Sequence, residues 1–193
     1  MRPYQPMQNH TYLTYEEFGR KFFEVAVTEE RVAAAFAVIA GDEFEMPTMR
    51  QGPGGIAKVS AKVRVQQPRV ARGLGDLLTF AIHIPLEIDL LIDLRLDKQR
   101  FTVAGDIALR ATARAAEPLL LIIDVPKPRS SDITVEVSST SIRGELLRIF
   151  AGVDGEIRRF IASYVAAEVD SPQSQQAQII DVAEQLDSAW TGI

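Results

Sequence analysis

Three carboxylates, Glu87, Asp89 and Asp93, occupy odd positions of one alternating stretch, so a β-strand carries all three on one face. Carboxylates about 5–10 Å apart perform acid–base work in hydrolases, and a row of acids can also hold a metal ion. A plainer reading competes. Lys58, Lys62, Arg64 and Arg110 are available to meet these acids as cross-strand pairs on a solvated outer face. That reading is adopted, so no catalytic residue and no metal ligand is assigned and no cofactor is expected.

The other reactive residue types are sparse. The histidines are His10 and His83, and neither has a serine, second histidine or carboxylate at a motif spacing. The GPGG at 52–55 lacks the lysine and hydroxyl residue of a phosphate loop and reads as a turn. There is no cysteine, which removes disulfides, thiolate nucleophiles and thiolate metal sites. Lys58, Lys62, Arg64, Arg69 and Arg72 form a denser basic run. It suits an anionic membrane surface or, more simply, pairing with the acidic strand.

The elements behind these residues follow from periodicity. Every even position from Phe80 to Leu96 is apolar, which predicts one long strand. Straight, it would run roughly 55 Å at about 3.3 Å per residue, whereas ordinary strands have about 5–6 residues, so it must curve, twist or break. The polar cluster at 97–100 is the predicted turn. Phe101, Val103, Ile107 and Leu109 then continue the alternation with Gly105, Ala111 and Ala113 interspersed. With that turn, Leu96 faces Phe101, and Ile92, Leu86 and Ile84 face Gly105, Ala111 and Ala113. Glu87 then lies opposite Arg110, and His83 opposite Arg114. Large inward residues meeting small ones leave room for a helix or a ligand.

Around this hairpin, Thr14 and Glu17 form a capping-box pattern that predicts a helix at 15–26, with a strand at 21–27 as its rival. A second helix starts at Thr28 and ends at Gly41. Residues 42–55 read as irregular. Alternation predicts strands at 59–65, 119–125 and 133–137, joined as an antiparallel meander. Ile149, Val153, Ile157, Phe160 and Tyr164 step at helical spacing, giving a long amphipathic helix at about 141–168. Ser171 and Pro172 start a final helix carrying Ile179, Ile180, Val182 and Leu186.

A length of 193 residues suits one domain, assigned to 14–193 after a flexible lead-in at 1–13. Apolar residues make up 47% and charged residues 24%, ordinary for a folded protein. The net charge of −5 argues against general nucleic-acid affinity. The N-terminus lacks an apolar leader segment, and the longest apolar run, 32–40, is far below the ~20 residues of a spanning helix. The expected location is the cytoplasm.

The order of helix at 28–41, strands at 56–66 and 80–96, and long helix from 141 resembles the tubular lipid-binding (TULIP) superfamily. The resemblance covers most of residues 28–168 and is one of architecture, without a signature motif, so no residue role is carried over. It implies a strongly curved antiparallel sheet around a long helix, and non-enzymatic binding or transfer of a lipid or other hydrophobic small molecule between them. The layout is also similar to START-like helix-grip proteins, some of which are cyclases or hydratases and others only binders. A third reading needs no ligand: a sheet edge or the final helix mediates self-association.

The expected fold is α+β, a long, strongly curved antiparallel sheet packed against a long amphipathic helix. The expected ligand contacts are Ile84, Leu86, Ile88 and Ile92 on one strand, and Gly105, Leu109, Ala111 and Ala113 on the next. Ile149 and Val153 of the helix complete them. Expected partners are a hydrophobic small molecule or lipid, with membrane-surface contact and homo-oligomer formation left open, and no nucleic acid.

Overall fold

Strict alternation on two consecutive segments produces the longest hairpin of the protein. A computed structural model describes residues 11–37, 39–73, 75–137 and 144–190. Residues 1–10 of the predicted lead-in at 1–13, and the predicted start of the long helix at 141, lie outside these residues. In chain order the elements are α1 (Tyr15–Ala26), α2 (Glu29–Ala37), β1 (Glu43–Gln51), β2 (Ala57–Val65), β3 (Arg69–Arg72), β4 (Thr79–Asp93) and β5 (Lys98–Ala116). They continue as β6 (Leu120–Asp124), β7 (Ile133–Glu136), α3 (Gly144–Val169), α4 (Pro172–Ala177), β8 (Ile179–Asp181) and α5 (Val182–Trp190).

The fold is α+β, and among the described residues eight strands form one curled antiparallel sheet. Its main order is β1-β2-β4-β5-β6-β8. β3 continues the β2 side of β4, and β7 shares the β6 side of β5. The expected simple meander is therefore branched: β7 returns to β5 instead of pairing with β6. Two strands of this length present more edge than one short neighbour can cover, so each is flanked by two.

The inward faces match the alternation. Phe80, Ile82, Ile84, Leu86, Ile88, Leu90 and Ile92 of β4 are buried, as are Val103, Ile107, Leu109, Ala111 and Ala113 of β5. The pairing differs from expectation. Phe101 faces Leu90, six residues from Leu96, and Asp93 faces Lys98. The chain reverses earlier than the polar cluster suggests. Arg95 takes a left-handed φ of 70°. Its N–H donates to Asp93 Oδ1 at 2.9 Å, and the Leu94 N–H donates to the Asp97 carbonyl at 2.8 Å. Leu96 stands fully in solvent. Lys98, Gln99 and Arg100 are the start of β5, with Lys98 and Arg100 exposed and Gln99 half-buried. A shift by an even number of residues leaves every side chain on its face, so the inner and outer faces survive the wrong register.

Consequently Glu87 faces Ala104, and Arg110 faces Ala81. Likewise His83 faces Ala108. Residues 42–55 are not irregular: most form β1, an edge strand whose register breaks between Met46 and Met49, around Pro47. Proline is tolerated at such an edge and bulge. The final helix is also broken. Ile179–Asp181 pair with Leu120–Ile122 of β6, between α4 and α5.

α1 is helical, not the rival strand, because its capping box closes: the Glu17 N–H donates to Thr14 Oγ1 at 3.2 Å and the Thr14 N–H to Glu17 Oε2 at 2.9 Å. α3 packs on β1, β2 and β7. Val153, Ile157, Ile161 and Val165 are buried against the sheet, while Ile149 and Phe160 are half-buried at the margin of that face. At Gly41 a φ of +92° turns the chain out of α2, a conformation glycine adopts without strain. There the Gly41 N–H donates to the Val65 carbonyl at 2.8 Å, tying the turn to the end of β2.

Candidate functional site

An apolar groove forms where α2, α3 and β6 converge. The sequence builds each wall locally. Thr28 starts α2, its Oγ1 accepting from the Arg31 N–H at 3.3 Å. This sets Val32 and Phe36 one turn apart on a single face. The last turns of α3 present Val165 and Val169. Ile123 of β6 and Val125 just beyond it supply the sheet side. Ser171 caps α4 by accepting from the Ser174 N–H at 3.2 Å. The Ile123 N–H donates to the Gln178 carbonyl at 2.8 Å and holds the end of α4 against β6. A Lys127–Asp170 ion pair at 2.6 Å ties the loop after β6 to the end of α3.

These segments enclose about 390 Å³, with Ala26, Val27, Ala35 and Ile39 completing the apolar wall. Val27, Val32, Val125 and Val165 form the buried floor, while Phe36 and Val169 are half-buried. The polar lining comprises Arg31, Glu168, Ser174 and Gln178. Arg31 Nη1 donates to the Ala26 carbonyl at 2.7 Å. Neither Arg31 nor Glu168 makes an ion pair among the described residues.

A larger cleft of about 830 Å³ lies beneath α1, bordered by Glu16, Arg20, Glu24, Arg72, Asp76 and Arg114. Much of its charge is already neutralised: Arg72 pairs with Glu24 at 3.4 Å, Arg20 with Glu16 at 3.4 Å, and Arg114 with Asp124 at 3.5 Å. It is a charged surface cleft, and the apolar groove is the stronger candidate for a ligand.

The acidic row behaves as a paired outer face. Arg64 bridges Glu43 at 2.7 Å and Glu87 at 2.6 Å. Lys62 meets Glu43 at 2.5 Å. Asp89 accepts from Thr102 Oγ1 at 2.6 Å, and Asp93 lies 3.6 Å from Lys98. Lys62 and then Arg64 hold the Glu43 carboxyl below its usual range by hydrogen bonding. The Arg95 N–H, then Lys98, does the same for Asp93. Lowered carboxylates suit ion pairing and disfavour a general acid. His83 Nδ1 lies 2.7 Å from Asp106 Oδ2, a diagonal pair on the same face. Among the described residues no group of three or more histidine, cysteine, aspartate or glutamate side chains converges on a metal site.

The residues expected to touch a ligand lie elsewhere. Ile84, Leu86, Ile88, Ile92, Leu109, Ala111 and Ala113 are buried on the inner face of the hairpin, and Val153 of α3 is buried with them. Gly105 is buried opposite Leu86, and Ile149 is half-buried. The space a side chain at Gly105 would take is already occupied. A Cβ there would stand 3.2 Å from Ile88 Cδ1 and 3.3 Å from Leu86 Cβ. Of these residues, Ala113 borders the cleft beneath α1, and none borders the apolar groove. The groove was partly legible, because Val32 and Phe36 share a helix face. Its far wall depends on the β6–β8 pairing, which three residues of strand inside a helical pattern do not announce.

No family profile matches the chain, and no curated protein matches it in sequence. Among solved structures, the crystal structure of lipopolysaccharide binding protein aligns with 82% of this chain at 13% identity and a TM-score of 0.38. The aligned part is 40% of that protein's length. Likeness at this level assigns neither family nor ligand. Among the described residues no helix is long and apolar enough to cross a membrane.

Proposed function

We propose that the protein binds a hydrophobic small molecule or lipid, without catalysis, in the groove between α2, α3 and β6. The observation that carries this reading is the groove itself. It is concave, walled by valine, isoleucine, phenylalanine and alanine from several segments, and about 390 Å³ in volume. Ligand sites of about 300–1,000 Å³ are of this kind, mostly apolar with a few polar groups at defined points. Apolar surface left in water is unfavourable by about 25 cal/mol per Å², so a hydrophobic ligand gains by covering it. The buried inner face of the β4–β5 hairpin then serves as core and not as a ligand wall.

The test combines two measurements on the purified protein. Native mass spectrometry is expected to show a co-purifying small mass, and an environment-sensitive apolar fluorophore should bind at one site per chain. Ala35→Trp, on the exposed rim of the groove, is expected to abolish fluorophore binding with the fold retained. A wild-type protein that binds no fluorophore and carries no adduct would leave the groove without a ligand.

A second reading, self-association, is favoured by one feature of α1. None of its residues is buried, and Tyr15, Phe18 and Val25 expose an apolar face to solvent. Exposed apolar faces mark contact surfaces when they are contiguous. Analytical ultracentrifugation decides: a mass that rises with concentration in the wild type and not in Phe18→Ser supports it, and a monomer at all concentrations opposes it.

A further inference from the structure

We infer that the groove selects a single-chain amphiphile with a zwitterionic head, its tail in the apolar channel and its head between Arg31 and Glu168. This rests on the proposal that the groove is a ligand site, and it specifies which molecules that site takes.

The volume sets the tail. A water molecule's share of liquid volume is about 30 Å³, and a methylene group is of similar size. A groove of about 390 Å³ therefore holds roughly a dozen methylenes. One chain of that length fills it. A lipid with two long chains would leave one of them in water.

The charges set the head. Of the described lining residues, only Arg31 and Glu168 are of acidic or basic type. They stand on α2 and α3, two of the walls, and among the described residues no ion pair joins them or commits either elsewhere. Arg31 is positioned by its bond to the Ala26 carbonyl at 2.7 Å, which uses Nη1 and leaves other N–H groups for a ligand. A guanidinium is the donor that best matches a phosphate or carboxylate oxygen pair. A purely anionic head would gain that contact but meet repulsion from Glu168. A purely cationic head would gain Glu168 and meet repulsion from Arg31. A head carrying both signs, such as a phosphate followed by an ammonium, satisfies both, and Ser174 and Gln178 add neutral hydrogen-bonding groups to the lining.

The test uses four amphiphiles with the same dodecyl chain, each held below its critical micelle concentration. They are dodecylphosphocholine, dodecanoate, dodecyltrimethylammonium and dodecyl maltoside, titrated calorimetrically into the purified protein. Dodecylphosphocholine is expected to bind most tightly, by roughly three- to tenfold over the singly charged pair. Glu168→Gln is expected to move the preference towards dodecanoate, and Arg31→Gln towards dodecyltrimethylammonium. Unchanged affinity for the neutral maltoside in both variants shows that the groove is intact. Dioctanoyl phosphatidylcholine should bind no more tightly than dodecylphosphocholine.

Four equal affinities in the wild type would overturn the head assignment while leaving the groove a ligand site. A preference for dodecanoate or for the ammonium would overturn it in the same way, as would an unchanged preference in both variants. Tighter binding of the two-chain lipid would overturn the single-chain assignment. Failure of all four to bind, the maltoside included, would overturn the groove reading and this inference together.

Discussion

The rings of Phe44 and Tyr164 stack with centroids 3.9 Å apart and planes 17° from parallel. This contact joins β1, the edge of the sheet, to the second half of α3. Phe160, one turn earlier, adds a tilted contact to Phe44 at 6.1 Å. An edge strand with a proline and a register break has weak pairing of its own, so this aromatic cluster is a principal anchor for it. Phe44→Ala is expected to lower stability by about 3–5 kcal/mol, since Phe44 is buried and truncation leaves a cavity. Tyr164→Leu should lose less, about 0.5–1.5 kcal/mol from the ring pairing. Urea unfolding measures both. No loss in Tyr164→Leu would mean that the stack itself adds nothing beyond burial.

The same tyrosine gives a pH dependence. Burial, and then the negative charges of Glu168 and Asp42, raise the Tyr164 phenol above its ordinary range. The folded state therefore favours the neutral form. Below the unfolded-state pKa of about 10 the phenol is neutral in both states and stability is unaffected. As pH rises through that value the unfolded chain ionises first, and stability falls until the folded-state pKa is passed. Denaturation midpoints from about pH 8 to 11 should fall more steeply in the wild type than in Tyr164→Phe. Parallel curves would place the alkaline loss elsewhere.

At Gly105 the sheet closes on its own neighbours. An added Cβ would stand 3.2 Å from the Thr134 carbonyl oxygen, 3.2 Å from Ile88 Cδ1 and 3.3 Å from Leu86 Cβ. The carbonyl belongs to β7 backbone and cannot rotate aside. Removing a glycine from the unfolded chain gains about 0.4–1 kcal/mol, whereas overpacking costs about 1–3 kcal/mol. Gly105→Ala is thus expected to destabilise the protein by about 1 kcal/mol, read from the thermal midpoint. A stabilised variant would show that β7 yields.

How much of this could be read from residues alone follows from where the signals lie. The faces of β4 and β5 were legible because alternation is a property of each strand by itself. Their register was not, because Leu94 and Leu96 continue the pattern past the true reversal. The signals that end the strand are a carboxylate–amide bond from Asp93 and a left-handed Arg95. Capping at Thr14 and Thr28 was visible in side-chain chemistry, and the buried stripe of α3 in its spacing. β1 was hidden by Pro47, whose tolerance depends on being at a sheet edge. β8 was hidden because Ile179 and Ile180 also fit a helix, and only the Leu120–Ile122 segment opposite makes them a strand. The groove inherits that difficulty, since one wall belongs to β8 and another to the junction of α3 with α4.

Two tryptophan substitutions separate the inner face of the sheet from the groove. Ala111 is fully buried opposite Phe80. Ala35 is exposed on α2 at the edge of the groove. Interiors are close-packed, so an indole at residue 111 has no room and must displace Phe80 or its neighbours. Ala111→Trp is expected to destabilise by about 1–3 kcal/mol or more. An indole at residue 35 can instead lie in the groove, where it covers apolar surface that was wet. Ala35→Trp should leave stability unchanged or slightly raised, and should compete directly with an apolar fluorophore. Thermal melting and probe titration on both variants provide the comparison. If Ala111→Trp keeps full stability and blocks the probe while Ala35→Trp leaves probe binding unchanged, the ligand site is the concave face of the hairpin and not the groove.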